Sequence, residues 1–169
     1  TFQDVWVPVE DVLGVENEGF RVVMSGLDLA RAFLSTMAIG LAEACLELSL
    51  KYAQERTQFA QPIANFQLVQ AKLADMYKGI YTARLAAYRA GGRAQSGARV
   101  NKEAAAAVLR ASEMAQKVAD EAVQIHGGYG YVHDFPVQRF WRDARLGTLG
   151  AGTSEIRRLI IARELLGKR

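Results

Sequence analysis

From about Gly19 to Glu55, Leu34, Met37, Leu41, Cys45, Leu48 and Tyr52 recur at steps of three and four residues, the period of one apolar face on a long helix. Pro62 and Asn65 punctuate the chain after it. Asn65 suits the N-cap of a second helix that turns Phe66, Val69, Leu73, Met76, Ile80 and Tyr88 inward and stops at Gly91-Gly92, with a small and polar loop reaching Ala98. The third helix has the most regular pattern. Ala104, Val108, Ala111, Ala115, Val118, Ala122 and Ile125 alternate four- and three-residue steps, a heptad-like seam. Alanine at most of these positions lets helix axes approach closely, as in an antiparallel bundle or an oligomer interface. Gly127-Gly128-Tyr129-Gly130 ends it. Two short helices follow, around Pro136 to Leu146 and Ser154 to Leu166, joined by Gly150-Ala151-Gly152 with Thr153 or Ser154 as cap. Ahead of the helices, Phe2 to Gly14 alternates in part. Val5-Trp6-Val7-Pro8 reads as the tail of a strand before a turn, since Pro8 cannot donate to a central ladder.

Composition narrows the picture. A chain of 169 residues, 50% hydrophobic, has room for one domain with a substantial core. The net charge is +3, but the 21 basic residues are dispersed among 18 acids and form no stripe interleaved with aromatics, so nucleic-acid binding is not expected. Ala30 to Leu50, the longest apolar-looking stretch, is interrupted by Arg31, Glu43 and Glu47 and falls short of the roughly 18 uninterrupted apolar residues of a spanning helix. No membrane insertion is expected. The start, Thr1-Phe2-Gln3-Asp4, has no Met, basic n-region or apolar h-region, and the chain reads as a fragment. The single Cys45 excludes an internal disulfide, fits a reducing compartment and reads as a small core hydrophobe.

Taken singly, the chemical motifs are modest. Gly127-Gly128-Tyr129-Gly130 closes a helix, whereas a dinucleotide-binding glycine loop follows a strand and opens one. His126, His133 and Asp134 match no metal-ligand spacing, so no metal is expected. Arg56 suits a helix C-terminus, where its charge complements the dipole. Gly152-Thr153-Ser154 suits a helix start, whose free N–H groups also favour phosphate.

Together and in order, these segments resemble the C-terminal domain of the acyl-CoA dehydrogenases over the whole chain. The resemblance runs through Phe2-Gln3-Asp4-Val5-Trp6-Val7-Pro8, Gly26-Leu27-Asp28-Leu29-Ala30-Arg31, Glu55-Arg56-Thr57-Gln58-Phe59 and Phe66-Gln67. It continues in Gln124-Ile125-His126-Gly127-Gly128-Tyr129-Gly130, Arg142-Asp143-Ala144 and Gly152-Thr153-Ser154, and is strongest to the isovaleryl-CoA dehydrogenase branch. It implies an all-α domain, an antiparallel four-helix bundle with short extra C-terminal helices over residues 17–169. Residues 1–16 are then the end of a preceding β-domain strand and its linker. The implied activity is α,β-dehydrogenation of an acyl-CoA thioester with FAD as cofactor. The resemblance places Arg56 and Phe59 against the FAD of a neighbouring subunit, with Gln67, Gln124 and Gly128 near its adenosine end. It places Thr153 and Glu155 near the FAD of the same subunit, and Asp28 and Arg31 along the CoA and pantetheine channel.

Two departures stand out. Ala60 occupies a position where the family usually has glycine. More consequentially, the family's catalytic carboxylate would sit at Ala151 or, in the isovaleryl branch, at Ala30, and both are alanine. A methyl group cannot accept a proton, and losing a positioned general base sacrifices about 10² to 10⁴ in rate. The alternatives implied are a base-less, non-catalytic assembly subunit of a mixed complex and a flavin-dependent lyase of the desulfinase kind. The remaining expectations are electron-transfer flavoprotein as electron acceptor, self-association to a dimer or tetramer through the third helix and its neighbours, and a bacterial cytoplasmic or mitochondrial matrix location.

Overall fold

The computed structural model describes residues 1–167, without the side chains of Asp28 and Leu29. Its helices are α1 (Gly19–Glu55), α2 (Gln67–Gln95), α3 (Asn101–His126), α4 (Val137–Gly147) and α5 (Ser154–Leu165), with a short hairpin of β1 (Thr57–Gln58) and β2 (Gln61–Pro62) between α1 and α2. The fold is all-α, as the helical periods require. α3 lies at the centre and packs against each of the other four helices. All seven residues of its seam are buried, and Ala111, Ala115, Val118, Ala122 and Ile125 meet Ile39, Cys45, Met76, Ile80, Val137 and Ala144 in one core. A fully buried larger side chain such as Met76 contributes about 1.5–3 kcal/mol, while the alanines contribute chiefly by letting α1 and α2 close in.

That arrangement corrects the seam's second expected role. A surface already covered by this chain's own helices is not available to a second copy. What stays exposed is the outer side of α2, where Tyr77, Tyr81, Leu85 and Tyr88 stand in solvent and Tyr77 stacks on Tyr81 at 6.3 Å between centroids.

α2 continues through Gly91 and Gly92 to Gln95. Each glycine costs roughly 1 kcal/mol against alanine inside a helix, but the added turn carries Ala94 onto a buried cluster of Ala32, Val100 and Ala104. The chain turns instead at Gly97, which has φ +74°, the left-handed geometry that favours glycine. Asn65 does not cap the helix. It lies in a 3₁₀ turn, and the cap position is Phe66, which has no side-chain cap bond. Residues 2–7 form no strand; among the described residues nothing runs beside them to take their backbone bonds, and 3₁₀ geometry begins directly after Pro8.

α1 has the length and composition of a membrane span over one window of mean hydropathy 1.5, a property that Arg31, Glu43 and Glu47 obscure in the sequence. One face of it packs on α2 and α3, and Glu43 pairs with Arg84 of α2, while 28% of that window is buried in this chain.

Candidate functional site

The sequence-predicted residues gather at two places on α1. Arg31 and Arg56 are about 25 residues apart on one helix, roughly 37 Å at 1.5 Å per residue.

At the far end, Arg56 is the C-cap of α1, its amide donating to the Tyr52 carbonyl at 2.8 Å. The chain then reverses through the hairpin, in which Gln58 pairs with Gln61 and the two tip residues, Phe59 and Ala60, have φ +52° and +61°. Positive φ at both central residues is the turn that matches strand twist. Phe-Ala is not a sequence signal for it, so the hairpin is invisible to composition. Phe59 is thereby held 88% exposed, with its ring edge-on to Phe66 at 6.2 Å. The Arg56 guanidinium lies 5.4 Å from the Tyr129 ring centre, a cation–π contact. Arg56, Gly128, Tyr129, Tyr52 and His126 line one cavity of about 450 Å³. His126 is buried, its Nδ1 is 2.8 Å from the Ala122 carbonyl, and its ring stacks on Tyr52 at 4.2 Å. Burial pushes its pKa below the usual imidazole value, partly opposed by the Ala122 carbonyl. Gln67 and Gln124 are exposed, at the first turn of α2 and the last turn of α3. A half-buried arginine lining the cavity, an exposed ring and a glycine-lined turn fit an anionic, aromatic ligand, since guanidinium geometry matches phosphate. Tyr52 reads in the sequence as part of the apolar face of α1 and Tyr129 as part of a helix-ending motif, and neither pattern marks them as site residues.

At the near end, the loop between α4 and α5 folds onto the start of α1. Arg31 is 4% exposed, and its Nε donates to the Ala151 carbonyl at 3.4 Å. The bond ties position 151 to the residue that follows position 30, and Ala30 and Ala151 are each only partly buried. Ala151 has φ +53°, which L side chains rarely adopt. Thr153 caps α5 by accepting the Ile156 amide at 3.5 Å. Glu155 is exposed in the first turn. The Thr153 side chain, then the backbone, holds its carboxyl below the usual carboxylate range. The side chain of Asp28 lies outside the described residues. Beside the loop is a cavity of about 550 Å³ with Leu34, Met37, Leu41, Val108 and Leu146 in its walls, and with Ala151, Asp143 and Arg157 also at its edge.

Arg157 is the residue that sequence reasoning missed. It is 1% exposed, with Nη1 donating to the Gly147 carbonyl at 2.8 Å and to Ser112 Oγ at 3.2 Å. Its Nη2 donates to the Gly150 carbonyl at 2.7 Å, and Nε finds no partner among the described residues. Burial, followed by the charge of Arg31, lowers its pKa. The available signal was positional: Ser154 and Arg157 lie three apart on α5, as neighbours on one helix face must.

Comparison with known proteins bears on both ends. Residues 17–166 match the family model of the acyl-CoA dehydrogenase C-terminal domain. Among curated relatives, mitochondrial isovaleryl-CoA dehydrogenase of Solanum tuberosum is 47% identical over 97% of this chain, and the match covers 40% of that protein. A probable acyl-CoA dehydrogenase of Bacillus subtilis is also 47% identical over 97% of the chain and is covered over 43% of its length. The solved butyryl-CoA dehydrogenase of Megasphaera elsdenii superposes with a TM-score of 0.95 at 42% identity, covering 98% of this chain and 43% of its own. The chain thus spans about two fifths of the length of these relatives.

Proposed function

The chain belongs to the acyl-CoA dehydrogenase family, whose C-terminal domain it carries, and on that premise we propose that it is the FAD-binding and assembly domain of an acyl-CoA-oxidising flavoprotein whose catalytic base is missing. The single observation that supports this reading is the Arg31–Ala151 contact, which joins the helix residue next to position 30 to the loop at position 151, and both of those positions carry only a methyl group. Bound FAD would supply the hydride acceptor for the substrate's β-carbon. Arg56 and Phe59, with Gln67, Gln124 and Gly128, would hold the FAD of a neighbouring subunit. Thr153 and Glu155 would face the chain's own FAD, and Asp28 and Arg31 the CoA arm. The separation of roughly 37 Å between the two ends supports assigning them to different cofactors. The apolar cavity beside Ala151 would take part of the acyl chain, and residues 1–16 would lead in from a preceding β-domain.

The electron acceptor in this reading is electron-transfer flavoprotein, the compartment is the mitochondrial matrix or a bacterial cytoplasm, and self-association uses the exposed outer side of α2. The presence of alanine at both base positions favours a second reading, a non-catalytic assembly subunit that keeps cofactor and substrate sites. Anaerobic titration of the full-length flavoprotein with acyl-CoA thioesters tests the first. A perturbed but unbleached flavin spectrum is expected. A protein that takes up neither FAD nor acyl-CoA contradicts it.

A further inference from the structure

Arg157 ties three parts of the fold together through one side chain. From α5 it reaches Ser112 of α3 and the carbonyls at both ends of the 147–150 segment. The planar guanidinium is suited to this, because its donors form a fixed fork that a lysine lacks. Gly147 lies close against α3, since a Cβ there would sit 3.4 Å from that of Ser112. From the other side, Arg31 holds the next carbonyl, Ala151. Glu113, the acid that acts on Arg157 electrostatically, is paired with Arg158 at 2.5 Å. Arg157 is therefore a buried cation whose bonding is directed at neutral groups, two of them loop carbonyls, and these bonds end one residue before a backbone held at φ +53°.

We propose that Arg157 is the positioning residue of the 147–152 loop: through the carbonyls of Gly147 and Gly150 it fixes where residue 151 stands against Arg31 of α1. A group carried at position 151 then depends on Arg157, whereas a group carried on α1 at position 30 does not depend on it in the same way. The catalytic half of this inference rests on the dehydrogenase reading. The structural half rests on the hydrogen bonds alone.

The test has two arms, both in the full-length flavoprotein. Hydrogen exchange is followed at the amides of Gly150 and Ser154, which bond to the carbonyls of Leu146 at 2.9 Å and Thr148 at 3.1 Å. Arg157→Gln and Arg157→Lys should each speed exchange there by about tenfold or more, leaving α3 amides such as Ala119 within about twofold. In the second arm, flavin reduction by acyl-CoA is measured after Ala151→Glu and, separately, after Ala30→Glu. Adding Arg157→Gln should cut kcat by about 10²-fold in the Ala151→Glu protein, since a misplacement near 1 Å costs that much, with KM within about threefold. The loss in the Ala30→Glu protein should be at least about tenfold smaller. Equal losses in both proteins overturn the proposal. If neither glutamate variant reduces its flavin, the dehydrogenase reading fails and the exchange arm decides alone. Unchanged protection at Gly150 and Ser154, or a loss spread evenly through α1–α3, then overturns it.

Discussion

Arg31 Nε and the Ala151 carbonyl meet at 3.4 Å across 120 residues of sequence, so the start of the longest helix and the loop before the last one form a single corner. The bond joins a guanidinium to a neutral backbone carbonyl. Its effect is geometric, because it sets an α1 position and a loop position side by side and leaves the chemistry to whatever those positions carry. The consequences divide between that corner and the opposite end of α1.

The hairpin tip is strained at Ala60. Its φ of +61° costs an alanine about 1 kcal/mol or more, which glycine avoids, though glycine's greater freedom in the unfolded chain offsets part of the gain. Ala60→Gly should therefore raise stability by up to about 1 kcal/mol, seen as a higher urea midpoint at unchanged slope. A lower midpoint would show that the turn is held by something other than its backbone preference.

Gly130 is required for a different reason. A Cβ there would lie 2.6 Å from the Val123 carbonyl oxygen and 3.0 Å from Val123 Cα and His126 Cβ, contacts that no rotamer change relieves. Gly130→Ala should lose about 1–3 kcal/mol and, by displacing Gly128 and Tyr129, loosen the cavity around Arg56. Urea unfolding measures the first effect and FAD retention by the full-length protein the second. An alanine variant of native stability would mean that α3 and its terminal turn are not packed as described.

His126 gives the fold a pH dependence of defined sign. Its folded pKa is depressed by burial, so the unfolded chain binds the proton more readily than the folded one. Its contribution is intact above the unfolded imidazole value near 6.5, and stability falls as pH drops below it. Melting temperature should decline between about pH 7.5 and 5.5, well above the range where carboxylates titrate. The decline should be flatter in His126→Gln. An equal slope in the variant would place the titration elsewhere.

The helices were legible because their apolar periods are long. The α3 seam and the start and end of α1 follow from residue spacing, which also narrowed the α5 cap to Thr153 or Ser154, and the structure uses Thr153. What was not legible required tertiary information. Ala94 could extend α2 past two glycines only because Ala32 and Ala104 wait for it, and Phe59-Ala60 makes a tight turn without the usual turn residues. The alanine seam could not say from sequence whether its partner was the same chain or another, and the answer is the same chain. Arg157 and Arg158 are adjacent and alike in sequence, yet one points into the loop and the other pairs with Glu113. The contact between Arg31 and Ala151 was not legible at all, because no local pattern links residues so far apart.

The central claim is that the corner lacks only a proton acceptor. Ala30→Glu, on the helix immediately before Arg31, places a carboxylate there, and partial burial raises its pKa toward the working range. The decisive measurement is anaerobic mixing of full-length Ala30→Glu flavoprotein with straight and branched acyl-CoA thioesters while flavin absorbance is followed. The account predicts bleaching faster than in the unaltered protein by about 10² or more. A variant that binds FAD and acyl-CoA yet leaves its flavin oxidised with every thioester would contradict the account and leave the assembly-subunit reading in its place.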